Sequence, residues 1–345
     1  VRSGLLRPQT IEIVARMEDT MKKYAIGVDI GGTNIAIGLI DDNDHLISMD
    51  SVETPQEGTA SEIIYCVVSM INKMLYEMEV TEESIECIGV GVPGTVNKES
   101  GKIEFANNLA FHDEDLVGML KERYNKIPIA MNNDANAAAY GEFIAGAGKD
   151  VNSLIMVTLG TGIGGGIIID RKLYEGMNYA AGELGHIVIN CEGIACNCGR
   201  RGCFEAYASA TALIEQTKAA MKKDKESILW ELCDYNLEKV EGKTLFDSVR
   251  LLDKTAEKVM NQYIYYLSVG IINIINIFQP DMVCIGGGIS KAGDLIISRL
   301  LKRVQEEEYA RASNKHSRIV MAQLENDAGI LGAGLLVRHA NMKCE

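Results

Sequence analysis

The chain has 345 residues, 47% of them hydrophobic, with 48 acidic against 34 basic side chains and a net charge of −14. That apolar content excludes a disordered tail protein. The acidic balance excludes a general nucleic-acid binder, which needs a basic face, but not a nucleotide held by backbone N–H groups. Length suggests two domains, and 34 glycines against 5 prolines suit an α/β enzyme with tight glycine turns. The nine cysteines are too few for a disulfide scaffold in a chain of this length. No apolar run is long enough to span a membrane, and residues 1–20 lack the basic-then-apolar order of a secretory signal. A cytoplasmic protein is expected. Residues 1–20 read as an upstream extension, with Met21 as the natural start.

In chain order, 24–30 and 35–40 read as strands around a Gly-Gly turn, and 45–52 as a third strand. Apolar residues from Ile63 to Leu75 recur at helical spacing across 60–76. Strands follow at 85–92 and 127–131, with a helix over 115–124 between them. Asp134 to Ala145 reads as an alanine-rich helix. Residues 153–159 and 163–169 form a second strand–turn–strand unit around Gly160-Thr161-Gly162. It matches the first unit at a fixed offset that takes Asp29 to Thr158, Gly31 to Gly160 and Asp41 to Asp170. Two related halves are therefore expected. Helical patterns fill 209–222, 226–234 and 244–278. A strand at 281–286 ends in Gly286-Gly287-Gly288, a helix covers about 293–309, and a strand at 318–322 precedes a last helix at 328–338.

Four features carry chemistry. Glycines at Gly31, Gly32, Gly160 and Gly162 let backbone N–H groups approach an anion, with hydroxyls from Thr33 and Thr161 and the amide of Asn34 beside them. The carboxylate of Asp29, at a strand end, suits hydrated Mg2+ beside ATP phosphates. The spacing Gly160, Gly162, Gly165 imitates a dinucleotide fingerprint, but a strand follows where that motif needs a helix. Asp134 sits where a strand gives way to a helix. It reads either as that helix's cap or as an acceptor for a hydroxyl proton in phosphoryl transfer. His186, Cys196, Cys198 and Cys203 make a closed tetrahedral donor set for structural Zn2+, with Cys191 as a rival ligand. Cys66, Cys87, Cys233 and Cys284 sit in apolar patterns and read as core.

Two glycine hairpins followed by a strand–GGG–helix look like the phosphate loops and adenosine site of actin-like, hexokinase-like ATPases. The motifs DIGGTN (29–34), GVPG (91–94), NNDANAAAYGE (132–142), TLGTGIGGG (158–166), AAGELGH (180–186), CNCGRRGCFEAYAS (196–209) and GGGISKAG (286–293) fall in one order. Together they resemble the repressor, open reading frame, kinase family of sugar kinases, most of all its glucokinase members, over about 23–338.

The resemblance implies ATP-dependent phosphorylation of glucose. The alternatives are N-acetylglucosamine, N-acetylmannosamine, allose, mannose or fructose as substrate. It implies an α/β fold of two duplicated, ribonuclease H-like domains with a cleft between them. The implied boundaries are 21–134 plus 325–342 for the small domain, and 135–324, with the zinc loop 186–203, for the large one. Asp134 is implied as the base. Gly94, Asn108, Asn133, Glu183, His186 and Glu205 are implied to border or bind the sugar. The two turns are implied to hold the phosphates, and Gly286, Gly287 and Gly288 the nucleoside. ATP, Mg2+ and Zn2+ are the implied small partners, and a homodimer or homotetramer the implied assembly. Phe111 stands where the family usually has Trp. The family's repressors carry a DNA-binding arm ahead of the first motif. Only residues 1–28 precede Asp29 here, so a non-catalytic sugar sensor is the remote alternative and no nucleic-acid partner is expected.

Overall fold

A computed structural model describes residues 23–55, 58–106, 109 and 111–341. The expected extension at 1–20 and Asn108, expected to bind the sugar, lie outside the described residues.

The first sheet begins with β1 (Tyr24–Ile30), β2 (Asn34–Ile40) and β3 (Leu46–Glu53). Next come helix α1 (Ala60–Glu77) and strand β4 (Ile85–Val92). Three short strands, β5 (Thr95–Asn97), β6 (Lys102–Phe105) and β7 (His112–Glu114), form a separate antiparallel sheet. They are brief, with three, four and three residues, so the alternation of β5 and β6, which buries Val96 and Ile103, is too short to stand out as a strand pattern. Helix α2 (Leu116–Arg123) leads into β8 (Ile129–Asn133) and helix α3 (Asp134–Ile144). The first sheet runs β3-β2-β1-β4-β8, with β1, β2 and β3 antiparallel and β1, β4 and β8 parallel.

The second sheet repeats that plan. Its strands are β9 (Leu154–Leu159), β10 (Ile163–Ile169), β11 (Lys172–Leu173), β12 (Met282–Gly286) and β13 (Arg318–Met321). They run β11-β10-β9-β12-β13 with the same antiparallel and parallel pairings. Asp29 and Thr158 are each the penultimate residue of the central strand. Asp29 pairs with Gly91 of β4, and Thr158 with Gly286 of β12. The repeat read from the sequence is thus a repeat of topology.

Helices α4 (Glu205–Ala208), α5 (Ala210–Lys223), α6 (Gly242–Arg250) and α7 (Lys254–Phe278) stand between β11 and β12. Helices α8 (Gly293–Glu307) and α9 (Asp327–Asn341) flank β13. The helix expected at 244–278 is two helices. Leu252 has a φ of 63°, and Asp253 caps α7 by accepting the Ala256 N–H at 2.7 Å. The segment expected as a helix at 226–234 is a tighter 3-10 turn over Ile228–Cys233.

Three cores hold the chain. One packs α1 on the first sheet, one packs α5 to α8 on the second, and the third joins α3 and α9 between the sheets. The backbones of α3 and α9 come very close. A Cβ at Gly332 would overlap the Ala137 carbonyl, so only glycine fits there. Cys87, Cys233 and Cys284 are buried and Cys66 is partly buried, as core cysteines should be. Among the described residues, no helix is long and apolar enough to cross a membrane.

Candidate active site and zinc loop

The carboxyl ends of the central strands, the start of α3 and the loop before α4 carry the predicted residues. The first glycine turn closes with the Gly31 N–H donating to the Asn34 carbonyl at 2.8 Å. Thr54 braces it: its hydroxyl donates to the Gly31 carbonyl at 2.6 Å and its N–H to the Thr33 carbonyl at 2.8 Å. Gly32, Thr33 and Asn34 are left exposed. The second turn closes with Gly160 N–H to the Gly162 carbonyl at 3.0 Å. The Ala210 N–H and the Thr211 hydroxyl hold it from α5, each at 2.8 Å. Gly160 and Gly288 face open space. Gly287, with φ at 86°, packs against the Leu159 backbone, so the triple glycine abuts the second turn. Thr54 and Thr211 have no motif around them that could have flagged their bracing role.

Asp134 is the first residue of α3 and not its cap. Asn133 is the cap, with Oδ1 accepting from Ala135 at 2.9 Å and Asn136 at 3.2 Å. Asn133 Nδ2 donates to the Gly94 carbonyl at 3.1 Å, and Gly94 has φ at 102°. The capping function falls to Asn133, so the Asp134 carboxylate needs only the Ala135 N–H, at 2.8 Å. Burial raises the Asp134 pKa despite that hydrogen bond. Burial, and then the charge of Asp134, push Asp29 up to about 7. Two half-buried carboxyls, one raising the pKa of the other and with no basic group lowering either, offer donors to a cation.

Glu183 continues the cluster. Partial loss of water around its carboxylate raises its pKa, although the side chain is 56% exposed; the charges of Asp134 and Glu205 add to this while His186 opposes it. His186 Nε2 lies 3.9 Å from Glu183 Oε2. Glu205 turns elsewhere: its Oε2 accepts the Ile163 N–H at 2.8 Å, and its Oε1 lies 4.0 Å from Cys196 Sγ. It therefore joins the second glycine turn to the cysteine loop.

The ligand atoms of His186, Cys196, Cys198 and Cys203 all lie within 4.8 Å of one another. Cys198 Sγ and Cys203 Sγ are 3.6 Å apart, as are Cys196 Sγ and His186 Nδ1. Tetrahedral Zn2+ with Zn–S near 2.3 Å requires S···S of about 3.8 Å, so the donor set fits the ion. Nδ1 faces the thiols, leaving Nε2 toward Glu183. Gly202, with φ at 76°, makes the loop possible, since any Cβ there would overlap the Asn190 carbonyl. Cys191 is exposed and outside this group, so the rival ligand falls away.

Two sheets of one topology, each with a glycine turn beside its central strand, define the actin-like, hexokinase-like α/β fold. Residues 25–340 match the ROK family model, and the chain belongs to the ROK family. It is 33% identical over 325 residues to the glucokinase of Halalkalibacterium halodurans, covering 94% of this chain and 97% of that protein. The crystal structure of a ROK family glucokinase from Streptomyces griseus, in complex with glucose and AMPPNP, is similar with a TM-score of 0.80. Identity there is 33%, over 92% of this chain and 99% of that one. The xylose repressor of Bacillus subtilis is 30% identical, over 91% of this chain and 77% of that protein.

Proposed function

We propose that this protein phosphorylates glucose with ATP, giving glucose 6-phosphate and ADP. The observation that carries the reading is Asp134. It is a half-buried carboxylate at the start of α3, with a raised pKa, close enough to Asp29 and Glu183 for its charge to raise theirs. Similarity to the glucokinases above supports glucose as the sugar.

Asp134 takes the proton from the sugar 6-hydroxyl as that oxygen attacks the γ-phosphorus, and ADP leaves. Its elevated pKa brings it nearer the working pH than an ordinary carboxylate. Asn108, Asn133, Glu183 and His186 Nε2 hold the other hydroxyls, with Gly94 bordering the sugar. Glu205 serves the sugar and, through Ile163, the phosphate turn. The N–H groups at 31–34 and 160–162 receive the phosphates, and 286–288 the nucleoside. Asp29 would hold Mg2+, which when bound would supply charge neutralisation to the phosphoryl group. His186, Cys196, Cys198 and Cys203 would hold Zn2+, which would supply rigidity to the loop and fix the His186 tautomer.

We divide the chain into 21–134 plus 325–342 and 135–324, so that closing the cleft excludes water from the phosphoryl group. The proposed setting is the cytoplasm and the proposed assembly a homodimer or homotetramer. The repressor reading rests on the 30% identity noted above; the intact turns and Asp134 favour catalysis. Coupled ADP release from ATP and Mg2+ across glucose, N-acetylglucosamine, N-acetylmannosamine, allose, mannose and fructose tests the reading. Highest kcat/KM on glucose is expected, and no ADP release with any sugar would overturn it.

A further inference from the structure

The two glycine turns share one arrangement of donors and acceptors. In the first, the Gly31 carbonyl accepts from the Thr54 hydroxyl at 2.6 Å. The Thr33 carbonyl accepts from the Thr54 N–H, and the Asn34 carbonyl from the Gly31 N–H, each at 2.8 Å. In the second, the Gly160 carbonyl accepts from the Ala210 N–H and the Thr161 carbonyl from the Thr211 hydroxyl, each at 2.8 Å. The Gly162 carbonyl accepts from the Gly160 N–H at 3.0 Å. The N–H groups of Gly32, Thr33, Thr161 and Gly162 donate to nothing among the described residues. Each turn ties back its carbonyls and leaves N–H groups open, the polarity that an anion requires.

A trans peptide is planar, so its C=O and N–H point in opposite directions. The donor that holds the Gly31 carbonyl therefore also aims the Gly32 N–H, away from Thr54. Gly32 itself is exposed. Losing that donor frees the peptide to rotate and to present its carbonyl oxygen where the N–H stood. An oxygen there would repel a phosphate that the N–H attracts.

The two threonines differ in how replaceable they are. Thr211 is exposed, so water can take over its hydrogen bond to the Thr161 carbonyl. The second turn also keeps the Ala210 N–H, and Glu205 holds the adjoining Ile163 N–H. Thr54, one residue past β3, is 3% exposed. It supplies both the hydroxyl and the N–H that hold the first turn, and a water has no ready access to replace them.

We propose that Thr54 is a positioning residue for the nucleotide. Through the Gly31 carbonyl, its buried hydroxyl fixes the peptide whose N–H, at Gly32, receives an ATP phosphate. The inference rests on the assignment of the turns to phosphates made above. Calorimetric titration of the full chain with AMPPNP and Mg2+, without sugar, tests it apart from the choice of sugar. Thr54→Val keeps the shape and removes the donor, and should weaken AMPPNP binding by about ten-fold or more. Thr54→Ser restores the hydroxyl and should bind within about three-fold of the native chain. In coupled assays, Thr54→Val should raise KM for ATP and leave KM for glucose near its native value. If Thr54→Val does not fold, Thr54→Ala takes its place with the same expectations. Native-strength AMPPNP binding by the variant without the hydroxyl overturns the proposal. So does a Thr54→Ser chain that binds as weakly as that variant, or an equal rise in both KM values, which would mark Thr54 as structural only. A native chain that binds AMPPNP but releases no ADP with any sugar overturns the kinase reading and leaves this inference standing. A native chain that does not bind AMPPNP overturns both.

Discussion

Glu205 Oε2 accepts the backbone N–H of Ile163 at 2.8 Å, with the zinc-loop thiol of Cys196 on its other side. One carboxylate thus holds the second glycine turn in register with the cysteine loop. Glu205→Ala removes a charged hydrogen bond of about 1.5–3 kcal/mol, so kcat/KM for ATP should fall by about ten- to hundred-fold. Glu205→Gln keeps an acceptor for Ile163 and should lose less. Steady-state kinetics with ATP varied at saturating glucose measures the difference; equal KM for ATP in both variants and the native chain would contradict the coupling.

Asp134→Asn should cut kcat by about 10²–10⁴-fold with little change in glucose affinity, since the amide cannot accept the proton. Burial raises the Asp134 pKa, and the base must be ionised. The acid limb of the native kcat/KM profile should therefore lie above the ordinary carboxylate value of about 4. Stopped assays over pH 5 to 9, paired with calorimetric glucose binding, check both points.

Asp29 makes stability depend on pH. Its folded pKa of about 7 exceeds its unfolded value, so the folded chain keeps a proton that the unfolded chain has lost. Stability from this group is full below about pH 4 and is lost as pH rises through about 7. Asp29→Asn removes that dependence. Without Mg2+, its Tm should exceed that of the native chain by a few degrees at pH 8, and the gap should close at pH 4. Thermal melts at the two pH values give the answer, and a gap that widens toward pH 4 would refute the sign.

Zinc content separates the cysteines. Cys203→Ser deletes a buried ligand and should drop bound zinc from about one per chain toward zero, with a lower Tm. Cys191→Ser should leave zinc intact, because Cys191 is exposed and outside the cluster. Elemental analysis of the purified variants distinguishes them.

Glu142 is fully buried and accepts from the N–H groups of Ala147, Gln323 and Leu324 at 2.9, 2.9 and 2.6 Å. It staples the end of α3 to the segment that enters α9. Glu142→Gln turns one acceptor into a donor facing N–H groups and should cost about 1–3 kcal/mol in urea unfolding. An unchanged midpoint would show that the staple contributes nothing.

Local signals in the chain were strong wherever one element buries one apolar face. The strands around both glycine turns, α1 and β4 all follow from periodicity. The same logic failed at 244–278, where an apolar run hid the break at Leu252 and Asp253. It also passes over the sheet of β5, β6 and β7, whose strands are only three or four residues long, too short for the alternation that buries Val96 and Ile103 to register. The position of Asp134 at a strand-to-helix boundary is legible in the sequence, whereas the choice of Asn133 as the cap depends on backbone geometry that spacing does not encode.

The sequence by itself determined the repeated strand–turn–strand units, the cysteine and histidine donor set and the order of the motifs, because each is encoded within a short stretch. Only the tertiary structure decided which distant groups meet. It brought the Asp134 charge to Asp29, turned Glu205 to Ile163, left Cys191 out of the metal cluster and brought Thr54 to Gly31. Those outcomes depend on burial and on backbones crossing at van der Waals distance, as at Gly332 and Ala137, and no periodicity along one chain records them.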